Sequence, residues 1–390
     1  MKKKKIIIFG GSFDPIHKGH IKIALRAFNR IKADKLFFVP CNNHPQNKKM
    51  SASNNDRLEM IRLAIKGFPR FEICDFELKR NEISYTIDTI NYFKEYYSDY
   101  ELYLLIGYDQ LINFDKWNRY QEILENSRII CYKRFLNKQN EINNITNDEL
   151  NTNDNSVQEL SLQKEDNKKI NIKHISIGTI FRINISSSNI RVSPKKRHLS
   201  LDVLNYINEN GLYALDRLEK VMSTYRIEHS IRVAEIAVDI TKSLKYYPLL
   251  KQAYVSAIYH DYAKEFSEKY QTNFWTLFKI GYLFKYKKMY NKEKIENKHQ
   301  NLWKIIHAWL GAYLIKKKFF INDYQVLNAI RNHTILETDD NILAKIIFCS
   351  DKLDVRKDGE ISDRKKMYEL CKKDINKGYL EILNRLKRND

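Results

Sequence analysis

The sequence predicts two folds in one chain: an α/β unit with a parallel sheet and helices on both faces, followed by an all-α unit. Three observations carry this expectation. Short apolar runs alternate with amphipathic stretches up to about residue 135. From about residue 216 onward that alternation is gone, and apolar residues recur only at helical spacing. The 390 residues suffice for two or three domains, each burying its own core. The expected division is 1–215 and 216–390.

In the first half the apolar runs are 5–9, 36–39, 71–74, 102–106 and 129–132, with amphipathic segments at 21–31, 56–65 and 86–97. Strands separated by helices of 10–15 residues indicate βαβ units. Residues 136–171 differ in kind: ten of the 36 are Asn, and none is aromatic, Gly or Pro. So little apolar surface does not offset ordering entropy, and a mobile insertion is expected. A strand-like run at 174–185 and a helix around 201–210 follow, with Gly211 placed as a C′ glycine. In the second half Ile227, Ile231, Ala234 and Val238 share one helical face, and similar faces recur near 250–264, 302–318, 323–333 and 341–352.

Charge and cysteine usage narrow the function classes. Lys and Arg number 68 against 48 Asp and Glu, a formal charge of +20. The basic residues are spread along the chain, with short clusters only at Lys195-Lys-Arg197 and Lys316-Lys-Lys318. Small polyphosphate substrates and the codon bias of an AT-rich genome account for that spread better than a nucleic-acid partner, which is not expected. Five scattered cysteines (Cys41, Cys74, Cys131, Cys349, Cys371) form no C-x-x-C pair, against a disulfide framework or a cysteine zinc site. The apolar run after the N-terminal lysines breaks at Gly10-Gly-Ser12, too early for a signal peptide, and no stretch nears 18 apolar residues. A cytoplasmic protein without a membrane partner is expected, and a homo-oligomer is compatible with the sequence.

Directly after the first strand comes Gly10-Gly-Ser-Phe-Asp-Pro-Ile-His17-Lys-Gly19-His20, and then a helix. In open α/β sheets ligands bind beyond the carboxyl ends of the strands, where glycines let backbone N–H groups approach a phosphate. Two histidines three apart lie on one face of the helix start and can stabilise charge developing on a phosphoryl group. The Gly-Lys-Ser/Thr of a P-loop is missing.

This element, with Ile185-Ser-Ser-Ser-Asn-Ile-Arg191 far downstream, resembles the adenylyltransferase superfamily of nucleotidyltransferases. Ile83-Ser-Tyr-Thr-Ile-Asp-Thr89 and Leu104-Leu-Ile-Gly107-Tyr-Asp109, with Lys116-Trp117, make it similar to the bacterial nicotinate-nucleotide adenylyltransferases. The likeness covers about 4–215 and implies a Rossmann-like sheet and attack by nicotinate mononucleotide on the α-phosphorus of ATP, assisted by Mg²⁺. By that likeness His17 and His20 stabilise the transferring phosphate. Gly10, Gly11, Ser12 and Phe13 form the ATP loop, and Ser187, Ser188 and Arg191 hold the β/γ-phosphates. Trp117 stacks on the pyridine ring, the backbone around Tyr85 and Thr86 reads its carboxylate, and Asp109 lies near the ribose or adenosine. After Val39-Pro40 the family's Pro-x-x-x-Pro-x-Lys-like loop is replaced by Cys-Asn-Asn-His44-Pro45-Gln-Asn-Lys48.

The helical half carries His229, His260-Asp261, His307, His333-Thr334 and Asp351, each on or at the end of a separate expected helix. A bundle interior collects such ligands, and imidazoles with carboxylates favour iron, manganese or zinc over calcium. The pattern resembles the HD superfamily of metal-dependent phosphohydrolases, and its words resemble the bacterial symmetric bis(5′-nucleosyl)-tetraphosphatase branch. Those words are Arg226-Ile-Glu-His229-Ser, His260-Asp-Tyr-Ala-Lys264, Ile-His307-Ala-Trp-Leu-Gly-Ala-Tyr and Asn328-Ala-Ile-Arg-Asn-His333-Thr334. The resemblance implies an HD-type helical bundle in which His229, His260, Asp261 and Asp351 bind a first iron or manganese ion, with Asp261 also able to take a proton. His307, His333 and Thr334 would serve a second metal or the substrate, while Lys264 and Arg356 or Lys357 meet phosphate oxygens. Here Ser350-Asp-Lys-Leu-Asp-Val-Arg356 stands where that branch often has Ala-Asp-Tyr-Ile-Glu-Pro-Gly-Arg.

Taken together these readings give a bifunctional enzyme acting on ATP, nicotinate mononucleotide and dinucleoside polyphosphates. The alternatives are a transferase for another acceptor, such as pantetheine phosphate, and an HD half that is a nucleotide sensor or a different nucleotide phosphohydrolase.

Overall fold

A computed structural model describes residues 3–42, 49–134, 160–162, 170–172, 175–180, 185–269, 299–334, 341–354 and 363–388. They form two compact units: Met1–Ile190 with Lys196–Val203, and Arg191–Lys195 with Leu204–Asp390.

The first unit follows the expected alternation. Its elements are β1 (Lys4–Gly11), α1 (Lys18–Ile31), β2 (Lys35–Pro40), α2 (Asn54–Ile65), β3 (Phe71–Ile73), α3 (Thr86–Tyr96), β4 (Tyr100–Gly107), α4 (Tyr108–Leu111), α5 (Tyr120–Asn126) and β5 (Arg128–Arg134). After the short antiparallel pair β6 (Leu160–Leu162) and β7 (Ile170–Ile172) come β8 (Ile175–Ile180), α6 (Ser187–Val192) and α7 (Leu201–Glu209), most of α7 belonging to the second unit. Most of the Asn-rich segment lies outside the described residues. The sheet order is β3-β2-β1-β4-β5-β8, every neighbouring pair parallel. The continuous apolar runs are explained by this arrangement: Ile6, Ile7, Ile8, Leu104 and Leu105 are all buried, because helices cover both faces. One of the two faces gathers Ile6, Ile8, Phe37 and Val39 against Ile87, Ile90 and Phe93 of α3.

None of the five cysteines forms a disulfide, and all are buried. Cys131 in β5 is fully buried, and burial together with the charge of Asp109 pushes its thiol up to about 12. An unfolded cysteine ionises near about 8.5. Because the folded value is raised, its contribution to stability is complete below that pH and is lost as pH rises through the folded value. The expected slope is a loss of about 2 kcal/mol between about pH 9 and 11. Cys131→Ala should flatten that part of the urea-unfolding stability curve; parallel curves for variant and wild type would contradict the assignment.

The second unit is helical throughout its described residues: α8 (Ala214–Leu218), α9 (Thr224–Ser243), α10 (Leu250–Tyr259), α11 (Lys264–Lys269), α12 (His299–Phe319), α13 (Tyr324–Asn332), α14 (Ile342–Leu353), α15 (Arg364–Lys373) and α16 (Ile375–Arg388), with one short 3₁₀ turn at Tyr247–Leu249. The α10 helix packs against α9, α13 and α14, and is apolar nearly all round for that reason. Gly211 takes φ +61 after α7, as its place as C′ glycine requires.

One expected face is corrected. On α9 the fully buried positions are His229, Ser230, Val233, Ala234, Ala237, Ile240 and Thr241, so of the face read from the sequence only Ala234 is central. Ile227 and Ile231 pack at its margin. The buried stripe is centred so that His229 points inward along with Val233, Ala237 and Ile240. Among the described residues no helix is long and apolar enough to cross a membrane.

Candidate functional sites

Because β1, β2 and β4 are parallel neighbours, their carboxyl ends bring three loops to one edge of the sheet. The loop after β1 is tightly packed: a Cβ on Gly11 would stand 3.1 Å from the ring of Phe13, which is itself buried at φ +47. His17 is the N-cap of α1 and takes the extended backbone such a position demands. Its Nδ1 accepts from the His20 N–H at 3.3 Å, and His20 Nδ1 accepts from the His17 N–H at 3.2 Å. The two rings stack with centroids 3.7 Å apart. With each Nδ1 used as an acceptor, each neutral ring carries its proton on Nε2. The helix cap thus fixes two histidines as paired Nε2–H donors at a helix N-terminus, where negative charge is favoured.

Two buried charges brace this loop. Asp14 accepts from the N–H groups of Ser51 at 2.8 Å and Ala52 at 3.2 Å. Arg57 is fully buried on the inward face of α2 and donates to the carbonyls of Ser12 and Cys41, each at 2.7 Å, and to Asn54 Oδ1 at 2.6 Å. Ser187, at the start of α6, donates its hydroxyl to the Pro15 carbonyl at 3.0 Å, so two motifs 172 residues apart meet. Ser188 is exposed. Arg191 is held by Asp216, with Nε 2.8 Å from Oδ1.

The remaining sequence candidates of this unit follow β3 and β4 in the chain. Tyr85 is the N-cap of α3 and Thr86 its first residue. Ser84 Oγ accepts from the Asn42 N–H at 3.3 Å, which ties the 83–86 loop to the end of β2. Asp109 follows β4 and folds back over Gly107, where a Cβ would come within 2.5 Å of Oδ1. Trp117 is half-buried with its ring 5.1 Å from that of Phe114. His44 and Lys48 lie outside the described residues.

In the helical unit four histidines from four helices converge on Asp261. His307 Nε2 is 3.2 Å, His333 Nε2 3.6 Å and His260 Nε2 3.7 Å from Asp261 Oδ1, and His229 Nε2 is 3.9 Å from Oδ2. Asp351 Oδ1 lies 3.1 Å from His229 Nε2 and 3.6 Å from His260 Nε2. His229, His260 and Asp261 form one set of candidate metal ligands, and Asp261, His307 and His333 a second, so Asp261 is common to both.

The residues fit a metal ion. His229 Nε2, His260 Nε2 and Asp261 Oδ1 are buried, and despite the neighbouring oxygens and nitrogens none makes a hydrogen bond. Three imidazoles turn Nδ1 toward an oxygen: His260 to the Ala257 carbonyl at 2.7 Å, His333 to that of Ile330 at 2.6 Å and His229 to Asp354 Oδ2 at 2.6 Å. That leaves Nε2 as their common ligand atom. A borderline-soft divalent cation takes such a nitrogen-and-carboxylate set.

Electrostatics agree at two of the histidines, whereas at His229 burial is outweighed by the carboxylates of Asp351 and Asp354, which raise it above its ordinary value. Burial lowers His260 and brings His307 down to about 4, keeping both neutral as ligation requires. Burial alone would raise Asp261, but His260, Lys264, His307 and His333 hold it well below the ordinary carboxylate range. Lys264 Nζ is 3.0 Å from Asp261 Oδ2 and Lys352 Nζ 3.7 Å from Asp351 Oδ2, so two ammonium groups flank the cluster. Thr334 follows His333, its buried hydroxyl without a hydrogen-bond partner among the described residues. Arg356 and Lys357 lie outside the described residues.

Sequence reasoning missed Arg57, Asn42, Lys352, Asp354 and Arg232. A signal existed for some of them. Arg57 occupies the register of Met60, Ile61 and Ile65 on α2, a charge at a core position. Arg232 and Asp354 each follow a candidate ligand, His229 and Asp351, by three residues.

Comparison with known proteins follows the same division. The Cytidylyltransferase-like family matches residues 8–193, and the HD domain family residues 226–356. A Mycoplasma genitalium protein named as a probable nicotinate-nucleotide adenylyltransferase/Ap4A hydrolase is 33% identical over 98% of this chain and 97% of its own length. Its counterpart in Mycoplasma pneumoniae is 29% identical over 98% of this chain and 100% of its own. A solved structure, Plasmodium falciparum nicotinic acid mononucleotide adenylyltransferase complexed with NaAD, is 20% identical over 54% of this chain and 97% of that chain, at a TM-score of 0.41. With a full-length relative at this identity and both parts matched in order, the chain belongs to the family of nicotinate-nucleotide adenylyltransferase/Ap4A hydrolase proteins.

Proposed function

We propose that residues 1–215 transfer the adenylyl group of ATP to nicotinate mononucleotide, and that residues 216–390 hydrolyse diadenosine tetraphosphate symmetrically to two ADP. The observation that carries the pairing is the full-length match to a relative named for both activities. In the first reaction a phosphate oxygen of nicotinate mononucleotide attacks the α-phosphorus of Mg²⁺-bound ATP. The new O–P bond makes deamido-NAD, and the broken bond releases pyrophosphate. His17 and His20 donate their Nε2 protons to the oxygens on which charge builds, so the catalysis is positioning and electrostatics. Gly10, Gly11, Ser12 and Phe13 shape the ATP loop, with Ser187, Ser188 and Arg191 on the β/γ-phosphates. On the acceptor side, Tyr85, Thr86, Asp109 and Trp117 form the nicotinate mononucleotide pocket.

In the helical unit His229, His260, Asp261 and Asp351 would hold one iron or manganese ion, and His307 and His333 with Asp261 a second. A bound ion supplies a water of lowered pKa and neutralises charge on the cleaved phosphates. Lys264 and Lys352 offer ammonium groups to the polyphosphate, Thr334 offers a hydroxyl, and Arg356 remains a further candidate. We place the protein in the cytoplasm, which suits five cysteines without a disulfide.

The test separates the two activities. Full-length protein with Mg²⁺, ATP and nicotinate mononucleotide is expected to yield deamido-NAD and pyrophosphate, with no product from pantetheine phosphate. With Mn²⁺ or Fe²⁺ and diadenosine tetraphosphate it is expected to yield ADP alone. Absence of deamido-NAD overturns the first assignment. AMP plus ATP as hydrolysis products, or no hydrolysis, overturns the second.

A further inference from the structure

We propose that Asp354 and Arg232 are positioning residues of the helical unit's metal centre, which together lock the His229 ring with Nε2 presented as a ligand. The proposal rests on the reading of His229 as a metal ligand.

The imidazole of His229 is clamped between two carboxylates from the end of one helix. Asp351 Oδ1 faces Nε2 at 3.1 Å, and Asp354 Oδ2, one turn later, faces Nδ1 at 2.6 Å. Asp354 is 1% exposed, so its charge needs a partner. Arg232 supplies it as a planar fork, Nε to Oδ1 at 2.7 Å and Nη2 to Oδ2 at 2.9 Å. Arg232 sits one turn from His229 on α9, as Asp354 sits one turn from Asp351, so two helices each contribute one inner group and one outer group.

This arrangement is not general to the cluster. His260 and His333 turn Nδ1 to a carbonyl of their own helix, a neutral acceptor that comes with helical geometry. Only His229 among the three turns Nδ1 to a carboxylate. A carboxylate behind an imidazole fixes the tautomer and raises the basicity of the far nitrogen, which strengthens its bond to a cation. The relay therefore acts on the ligand set His229–His260–Asp261 and spares the set Asp261–His307–His333.

Asp354→Asn keeps the shape and breaks the pattern. Both oxygens accept from donors in the native arrangement, and either placement of the amide –NH₂ sets a donor against Arg232 or against His229.

The experiment is a Mn²⁺ titration of full-length metal-free protein, followed by electron paramagnetic resonance of free and bound ion. Thermal melting of each variant is measured alongside. Asp354→Asn is expected to weaken one class of bound Mn²⁺ by about 10–100-fold while the other is unchanged. Asp354→Glu should recover part of the loss. Arg232→Gln, at a partly exposed position, should move the same class in the same direction, and decides the matter if Asp354→Asn does not fold. Wild-type protein that binds no Mn²⁺ overturns the reading of the centre itself. Wild-type binding matched by folded Asp354→Asn or Arg232→Gln protein overturns the positioning proposal alone.

Discussion

Asp261→Asn is expected to abolish hydrolysis of diadenosine tetraphosphate, by at least about 10³-fold, and to leave adenylyl transfer by the same chain unchanged. The size follows from geometry. Asp261 is the only group shared by the two ligand sets, and its two oxygens face all four histidines and Lys264. An amide keeps the volume but supplies one weak neutral oxygen and sets two N–H donors among the imidazoles. Both ligand sets lose their common anion at once. Replacing His307 removes a member of one set only, so His307→Ala should cost less than Asp261→Asn. Product chromatography with Mn²⁺ present checks both, and a thermal melt shows whether the bundle still folds. Residual hydrolysis within about tenfold of wild type in a folded Asp261→Asn protein would remove Asp261 from the chemistry.

Much of this is legible in the amino-acid sequence alone, and the reason differs between the two units. The parallel sheet announced itself because strands buried on both faces are continuous apolar runs, such as Ile6-Ile-Ile-Phe9, which alternate with amphipathic helices. The sites were legible where function concentrates unusual residues in a short span, as in His17-Lys-Gly-His20 and His260-Asp261. What stayed hidden are contacts between residues of ordinary appearance. Arg57 looks like a solvated helix charge until α2 is docked, when it proves to hold Ser12 and Cys41 carbonyls from the interior. On α9 hydropathy favours Ile227 and Ile231 for the core, whereas the bundle turns His229 inward to meet His260 and Asp261 at the end of α10 and Asp351 on α14. A periodicity argument ranks side chains by apolarity and cannot see that a polar residue is buried for a partner brought by another segment. Arg232 and Asp354 illustrate the same limit, being 122 residues apart in sequence and 2.7 Å apart in space.

His17 poses a separate question, since its side chain serves both as a helix cap and as a proposed donor to phosphate. His17→Ala loses both functions, the cap alone being worth about 1 kcal/mol. His17→Asn separates them. Asparagine is among the best N-cap residues, so its side-chain oxygen can accept from the His20 N–H as Nδ1 does now, and α1 should keep its start. What asparagine does not place is a ring Nε2–H beyond the helix end. If His17 stabilises the charge on the transferring phosphate, His17→Asn should lower kcat for deamido-NAD synthesis by about 10²–10³-fold with a small change in KM for nicotinate mononucleotide. Melting of the first unit should stay near wild type for His17→Asn and fall for His17→Ala. His20 offers the matching comparison, because its Nδ1 accepts from the His17 N–H and its ring stacks on that of His17. Removing either imidazole leaves the other without its stacked neighbour, so the double variant should lose less than the product of the two single losses. Wild-type kcat in a folded His17→Asn protein would reduce His17 to a cap and leave His20 as the remaining candidate donor of the pair.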